Sequence, residues 1–179
     1  MTEDKKENWF TYMAITTVLI AVAATLSTFK GGGFSTRSLL NQTRASDQWA
    51  FFQSKSIKGY LYEIQIDNLG MQIESLEEQN GNKPLLEKYK ARLEDYRQKV
   101  KKYDEEKDAI KKEAVSFENQ RDNCKEHSGK FGIAVIFLQV SILLSSIATL
   151  SKKKFVWVCS LVLGTIGIFY FIDGFFLFL

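Results

Sequence analysis

The side chains that could do acid, base or nucleophilic chemistry are few. The single histidine, His127, stands between Glu126 and Ser128, but adjacent residues on a helix point in different directions, so these three groups do not converge. We interpret His127 as an exposed histidine beside an apolar run. The sequence therefore predicts no catalytic residue and no enzyme.

A cluster of carboxylates offers little more. Its members are interleaved with lysines, and the pair Asp108 and Lys112 has the favourable helical spacing of four. This pattern is typical of a solvated, ion-paired helix face. The acidic residues are Asp104, Glu105, Glu106 and Asp108, and the lysines are Lys101, Lys102, Lys107, Lys111 and Lys112.

The remaining composition excludes several other kinds of site. Cys124 and Cys159 lie in different environments without a CxxC motif, which predicts no metal site, no cofactor and no disulfide framework. Residues 30–130 hold 19 Lys and Arg against 17 Asp and Glu with the signs interspersed. Nucleic-acid binding is not expected, because it needs a one-sided basic surface.

One carboxylate stands out because Asp173 lies inside an otherwise apolar run. Carboxylates within membranes are costly, and they are usually paired or functional. The structural interpretation is an interfacial carboxylate paired with Lys30 or Lys130. The functional interpretation is an ion or proton site, with Gln139 lining the same path.

Three apolar runs, at 9–29, 131–150 and 155–179, dominate the chain. A helix of about 20 apolar residues crosses roughly 30 Å of hydrocarbon, so each run is long enough to span a bilayer. The first run follows Lys5 and Lys6, as a signal peptide does, but its length favours an uncleaved anchor. Residues 1–8 then form a polar tail.

The loop 151–154 predicts the orientation, because three consecutive lysines there connect two spans. The positive-inside rule places this loop and the N-terminus in the cytoplasm and residues 30–130 outside. The alternative, with residues 30–130 in the cytoplasm, stays open since Lys and Arg also flank the first two spans on that side.

Residues 30–130 show a heptad pattern, in which seam residues alternate at spacings of three and four. A turn at 80–83 precedes the only proline, Pro84, and separates two arms at about 35–79 and 84–130. Arms of similar length joined by a tight turn predict an antiparallel coiled-coil hairpin. The principal seam residues of the second arm are Leu86, Tyr89, Leu93, Tyr96, Val100, Tyr103, Ile110 and Phe117.

The first arm is less regular. Its expected seam runs from Leu39 through Ile57, Tyr60 and Ile64 towards Met71. Glycines at 59 and 70 each cost about 1 kcal/mol inside a helix and are expected to bend or break this arm. A stretch of small and polar residues suggests a close helix contact, within the hairpin or between subunits: Ser46, Trp49, Ala50 and Gln53. The alternative is a weakly packed arm on which Trp49 and Phe52 lie against the other arm.

Several segments together resemble a bacterial membrane family. They are Ser27 to Gly33, Ala45 to Ala50, Gln53 to Lys58, His127-Ser128, and Phe131 to Val135. The family is catalogued as domain of unknown function 4337, and the resemblance spans almost the whole chain. Phe51 and Phe52 stand where tyrosines are expected. The resemblance implies the three-span architecture and supplies no activity or ligand.

The sequence thus predicts an all-α membrane protein with three transmembrane helices and a coiled-coil helical hairpin between the first and second. We expect a non-enzymatic assembly or interaction module in the bacterial cytoplasmic membrane. Its expected partners are the lipid bilayer, further copies of itself, or another membrane or envelope protein. The alternative is a channel or transporter subunit with Asp173 near an ion or proton path.

Overall fold

The protein is all-helical in a computed structural model that describes residues 2–79 and 82–178, with side chains from Trp9 onward. Over these residues the chain forms three helices and no strand. They are α1 (Thr2–Glu78), α2 (Lys83–Ser151) and α3 (Lys154–Phe176). Met1 of the expected tail, Asn80 and Gly81 of the expected turn, and Leu179 of the third run lie outside the described residues.

Helix α1 continues through Gly59 and Gly70 without a break. A Cβ added at either glycine would meet nothing within 4 Å, so neither is required by close packing. Helix α2 begins at Lys83, with Pro84 in its first turn, where the missing proline N–H costs no helical hydrogen bond. It is also unbroken, as expected from the lack of a later proline.

The apolar composition and length of all three helices are sufficient for membrane crossing. The shortest, α3, has 23 residues, which corresponds to about 34 Å at 1.5 Å per residue. The chain divides into two compact units, which we call the apolar unit (Met1–Leu40 with Gln120–Leu179) and the polar unit (Asn41–Asn119).

Small residues bring the three helices of the apolar unit together. A Cβ on Gly164 would lie 2.9 Å from Ile20 Cδ1, and one on Gly167 would lie 2.7 Å from Leu138 Cγ. The Ser141 hydroxyl donates a 2.6 Å hydrogen bond to the Ser160 carbonyl. Close backbone approach of this kind replaces the hydrophobic driving force where helices are surrounded by lipid. Ile20 and Leu138, with Ala24 and Ala134, form the buried core.

In the polar unit the burial of the expected seam residues differs between the two helices. Along α2, Ile110 is buried, and the other principal seam residues are half-buried. Along α1, Ile57, Tyr60 and Ile64 were expected inside, but they are 60%, 61% and 55% exposed. That expectation is wrong. A row of buried and half-buried residues lies two positions further along α1 and keeps the spacings of three and four: Asn41, Ala45, Gln48, Phe52, Lys55, Gly59, Tyr62, Ile66, Leu69, Ile73 and Leu76.

Candidate functional site

Asp173 is the centre of the most unusual arrangement in the apolar unit. Its side chain is 0% exposed, and Oδ2 lies 3.1 Å from the Lys130 ammonium, which is itself 19% exposed. The other carboxylate oxygen, Oδ1, accepts a 2.8 Å hydrogen bond from the Phe178 N–H. A buried carboxylate is tolerated only with such partners, because its desolvation is costly. The structure thus brings together two of the four polar residues named from the sequence.

The end of α3 is built around the same residue. Leu177 takes a left-handed conformation, with φ 50°, and its N–H donates a 2.8 Å hydrogen bond to the Asp173 carbonyl. Asp173 therefore fixes the helix terminus through both its backbone carbonyl and its carboxylate. Such contacts satisfy groups that a helix end would otherwise leave unpaired.

His127 joins α2 to this helix end, so its expected exposed position is wrong. Its Nδ1 donates a 2.8 Å hydrogen bond to the Gly174 carbonyl, which assigns the proton to Nδ1 because a carbonyl only accepts. The imidazole also stacks on the Phe34 ring, with centroids 4.5 Å apart. His127 is half-buried and contacts both α1 and α3.

Phe131 packs beside His127's neighbour Phe34 and beside Phe175 at the end of α3. It is 0% exposed, and it lies between two glycines on neighbouring helices. A Cβ on Gly31 would lie 3.0 Å from Phe131 Cβ, and one on Gly174 would lie 2.9 Å from Phe131 Cε1.

The other two named polar residues have different surroundings. The Lys30 ammonium lies 5.8 Å from the centroid of the Phe175 ring, close to the end of α3, while Lys130 is the ion-pair partner of Asp173. Gln139 is exposed on α2. Asp173 is buried, so it shares no exposed surface with Gln139.

The chemistry of this arrangement is electrostatic and structural. The carboxylate has an ammonium and a backbone N–H as partners. In the part of the chain that the structure describes, no group of three or more His, Cys, Asp and Glu side chains converges on a common point. The cluster is suited to holding α3 against α2.

The polar unit contains the residues named from the sequence as a close helix contact. Trp49 Nε1 donates a 2.9 Å hydrogen bond to Glu118 Oε1 across the unit, and its ring packs edge-on against Phe52 at 5.5 Å. Ser46, Ala50 and Gln53 are exposed. Of this set, Trp49 is half-buried and bonds to α2, whereas the other three residues are open to the surroundings.

An ion pair gives the polar unit a measurable pH dependence. Lys55 lies 2.6 Å from Glu106, and its hydrogen bond lowers the pKa of Glu106 below the ordinary value of 4.5. A depressed folded pKa stabilises the protein above the unfolded value, and this contribution is lost as pH falls through the folded value.

We therefore expect acidification below about pH 4.5 to lower the thermal midpoint of the wild type slightly more than that of Glu106→Gln. Circular dichroism measured at neutral and acidic pH checks this result. The matched control is Glu113→Gln, since Glu113 is exposed on the same helix. If Glu106→Gln and the wild type lose equal stability, the ion pair contributes nothing.

Comparison with known proteins gives a family and nothing more specific. No curated protein and no solved structure matches the chain significantly. The family model described as Domain of unknown function (DUF4337) matches residues 9–177. This range includes the three helices almost completely, together with Asp173, Lys130 and His127. The chain therefore belongs to the DUF4337 family of domains of unknown function.

Proposed function

We propose that the protein is a three-span membrane protein whose coiled-coil hairpin assembles with further copies of the chain. Insertion is supported by large apolar side chains that are exposed on all three helices of the apolar unit, among them Leu19, Leu143 and Val162. Water would oppose such exposure, whereas lipid accepts it. The lysines of the loop at 152–154 favour a cytoplasmic loop and N-terminus with the hairpin outside. We assign the protein to the bacterial cytoplasmic membrane, and a cytoplasmic hairpin is the alternative.

The coiled-coil hairpin is supported by the inward faces of both helices in the polar unit. Each face keeps alternating spacings of three and four, which is the pattern that lets helices pack along a continuous seam. Tyr62 packs against Tyr96 and Tyr103, with centroids 5.2 Å and 5.9 Å apart. Large aromatic contacts of this kind add to the stability of such a pair.

The observation that carries self-assembly is a second apolar face on α1. We call it the outer stripe and define it as Ile57, Tyr60, Leu61, Ile64 and Met71, which are 55–62% exposed. Among described residues of the polar unit, the only exposed large apolar side chain on α2 is Val115. An exposed apolar face of this length on α1, where α2 exposes mainly charged residues, is typical of an interaction surface.

A second copy of the chain is the partner that fits the stripe. Copies anchored in one membrane hold their first arms parallel and at the same height, which raises the effective concentration of one stripe for another. In a parallel pair, opposite edges of the stripe face each other. One edge is acidic and the other carries a lysine and two glutamines: Glu63, Asp67 and Glu74 against Lys58, Gln65 and Gln72.

The test is the mass of the full chain in detergent, measured by light scattering. We expect the wild type to form a defined oligomer and Ile57→Asp/Ile64→Asp to be monomeric, since burying two carboxylates in an apolar contact is costly. Val115→Asp is the matched control, because Val115 is an exposed apolar residue on α2, and it should leave the oligomer intact. A monomeric wild type, or equal masses for all three proteins, contradicts assembly through the stripe.

Conduction is less well supported as a function. Asp173 is buried and paired with Lys130, whereas Gln139 is exposed. We propose no catalytic role for His127, since it donates to a backbone carbonyl.

A further inference from the structure

We propose that a groove on α1 binds the phosphate of an anionic phospholipid. The groove has a volume of about 550 Å³, and Lys30, Gly33 and Arg37 are among the residues that line it. This inference goes beyond self-assembly and rests on the membrane insertion proposed above.

The three residues form one stripe on the helix. Their spacings of three and four place Lys30, Gly33 and Arg37 on the same face. The Cα atoms of Lys30 and Arg37 are about 10 Å apart along the axis at 1.5 Å per residue, and Gly33 lies between these two residues. A Cβ added at Gly33 would meet nothing within 4 Å, so the glycine leaves open space between two positive charges.

Lys30 and Arg37 lie beside aromatic rings, and neither forms an ion pair with a described carboxylate. The Lys30 ammonium lies 5.8 Å from the Phe175 ring centroid, and the Arg37 guanidinium lies 5.9 Å from that of Phe34. Across the described chain, the ion pairs found include neither Lys30 nor Arg37. From Trp9 to Ser46 the charged residues are Lys30, Arg37 and Arg44, with no acidic residue among them.

The position of the groove identifies the anion as a lipid headgroup. Lys30 directly follows the apolar run 9–29, so it lies where the hydrocarbon ends and the phosphates begin. Phe29 is 77% exposed and also lines the groove, which provides an apolar surface for the acyl chain below the phosphate. Lys and Arg beside a span attract anionic lipids, and Arg hydrogen-bonds phosphate oxygens in pairs.

The experiment measures lipid retention by the full chain. The protein is exposed to equal amounts of phosphatidylglycerol and phosphatidylcholine with identical acyl chains, and bound lipid is counted by native mass spectrometry. We expect a preference for phosphatidylglycerol that falls about tenfold in Lys30→Gln/Arg37→Gln. Gly33→Leu should reduce it as well, because it fills the groove and leaves both charges in place.

Matched controls separate this site from general effects. Gly132→Leu adds the same side chain at another exposed glycine with open space around it, and Lys152→Gln/Lys153→Gln removes the same charge from an exposed loop. Both should keep the preference. Circular dichroism checks that all variants remain helical, which is expected since leucine favours a helix over glycine.

Several results would overturn the proposal. An equal loss of the phosphatidylglycerol preference in Lys152→Gln/Lys153→Gln would mean that net charge alone determines lipid retention. A full preference in Gly33→Leu would mean that the groove does not hold the lipid. Displacement of the lipid by inorganic phosphate at similar concentration would point to a free anion. A changed oligomeric mass of Gly33→Leu with unchanged lipid retention would make the groove a helix contact. Insertion is tested separately by flotation with vesicles of pure phosphatidylcholine, so its failure is distinguishable.

Discussion

Lys130→Met is expected to lower the free energy of unfolding by about 3–5 kcal/mol, which is typical when a buried charge loses its partner. Asp173 is 0% exposed and its Oδ2 lies 3.1 Å from the Lys130 ammonium. Methionine keeps the apolar stem of lysine but removes the charge. The carboxylate would then stay buried without its cationic partner, while Oδ1 keeps its hydrogen bond from the Phe178 N–H. Unfolding in mixed micelles, titrated with a denaturing detergent, measures the loss.

Removing the charge of Asp173 should lower the free energy of unfolding by less than removing the charge of Lys130. Asp173→Asn keeps an oxygen that accepts the Phe178 N–H, and Lys130 is 19% exposed, so its ammonium has access to water or headgroups. The double variant Lys130→Met/Asp173→Asn should recover most of the stability lost by Lys130→Met, because no buried charge is left unpaired. The double-mutant cycle thus isolates the ion pair from the packing of either side chain.

Two outcomes would contradict this interpretation. If Asp173→Asn and Lys130→Met both leave stability and assembly unchanged, the pair does not hold α3 in place. If Asp173→Asn instead alters ion flux through liposomes while stability stays constant, the carboxylate belongs to a conduction path. A paired carboxylate at a helix end predicts neither result.

The sequence predicted the three apolar helices because their signal is additive over about 20 residues and does not depend on tertiary contacts. It also narrowed the partner of Asp173 to Lys30 or Lys130, since both cations flank apolar runs. Choosing between them required the packing. Lys30 lies beside the Phe175 ring, and Lys130 reaches the carboxylate.

The seam of α1 was missed because this helix carries two heptad frames two residues apart. The outer frame contains Ile57, Tyr60 and Ile64, which are large and apolar. The inner frame includes Ala45 and Gly59, which are small, together with polar residues such as Asn41. The inner frame also contains large apolar residues, among them Tyr62, Ile66 and Leu69, so the alternating pattern alone does not decide which frame is buried.

His127 illustrates a different limit. Its acceptor is the Gly174 carbonyl, 47 positions away, and a backbone carbonyl has no sequence signature. Its neighbour Ser128 donates to a different backbone carbonyl, that of Gly31. The sequence could not indicate that the ring would lie between α1 and α3, because that depends on how the helices pack.

Gly167→Ala is expected to destabilise the apolar unit by about 1–3 kcal/mol, the usual cost of overpacking. The added Cβ would lie 2.7 Å from Leu138 Cγ and 3.0 Å from the Leu138 backbone nitrogen. The Leu138 side chain can rotate away, but the contact with its backbone nitrogen is relieved only if α2 and α3 move apart. Unfolding in the same mixed micelles measures the effect.

The matched control should change stability in the opposite direction. Gly132→Ala places a Cβ in open space on α2, so the better helix propensity of alanine should raise stability by up to about 1 kcal/mol. The same chemical change then has opposite signs at two glycines, because one is required by a helix contact and the other is not. Equal effects at both positions would mean that helix propensity decides the outcome and that α3 does not pack against Leu138 at this distance.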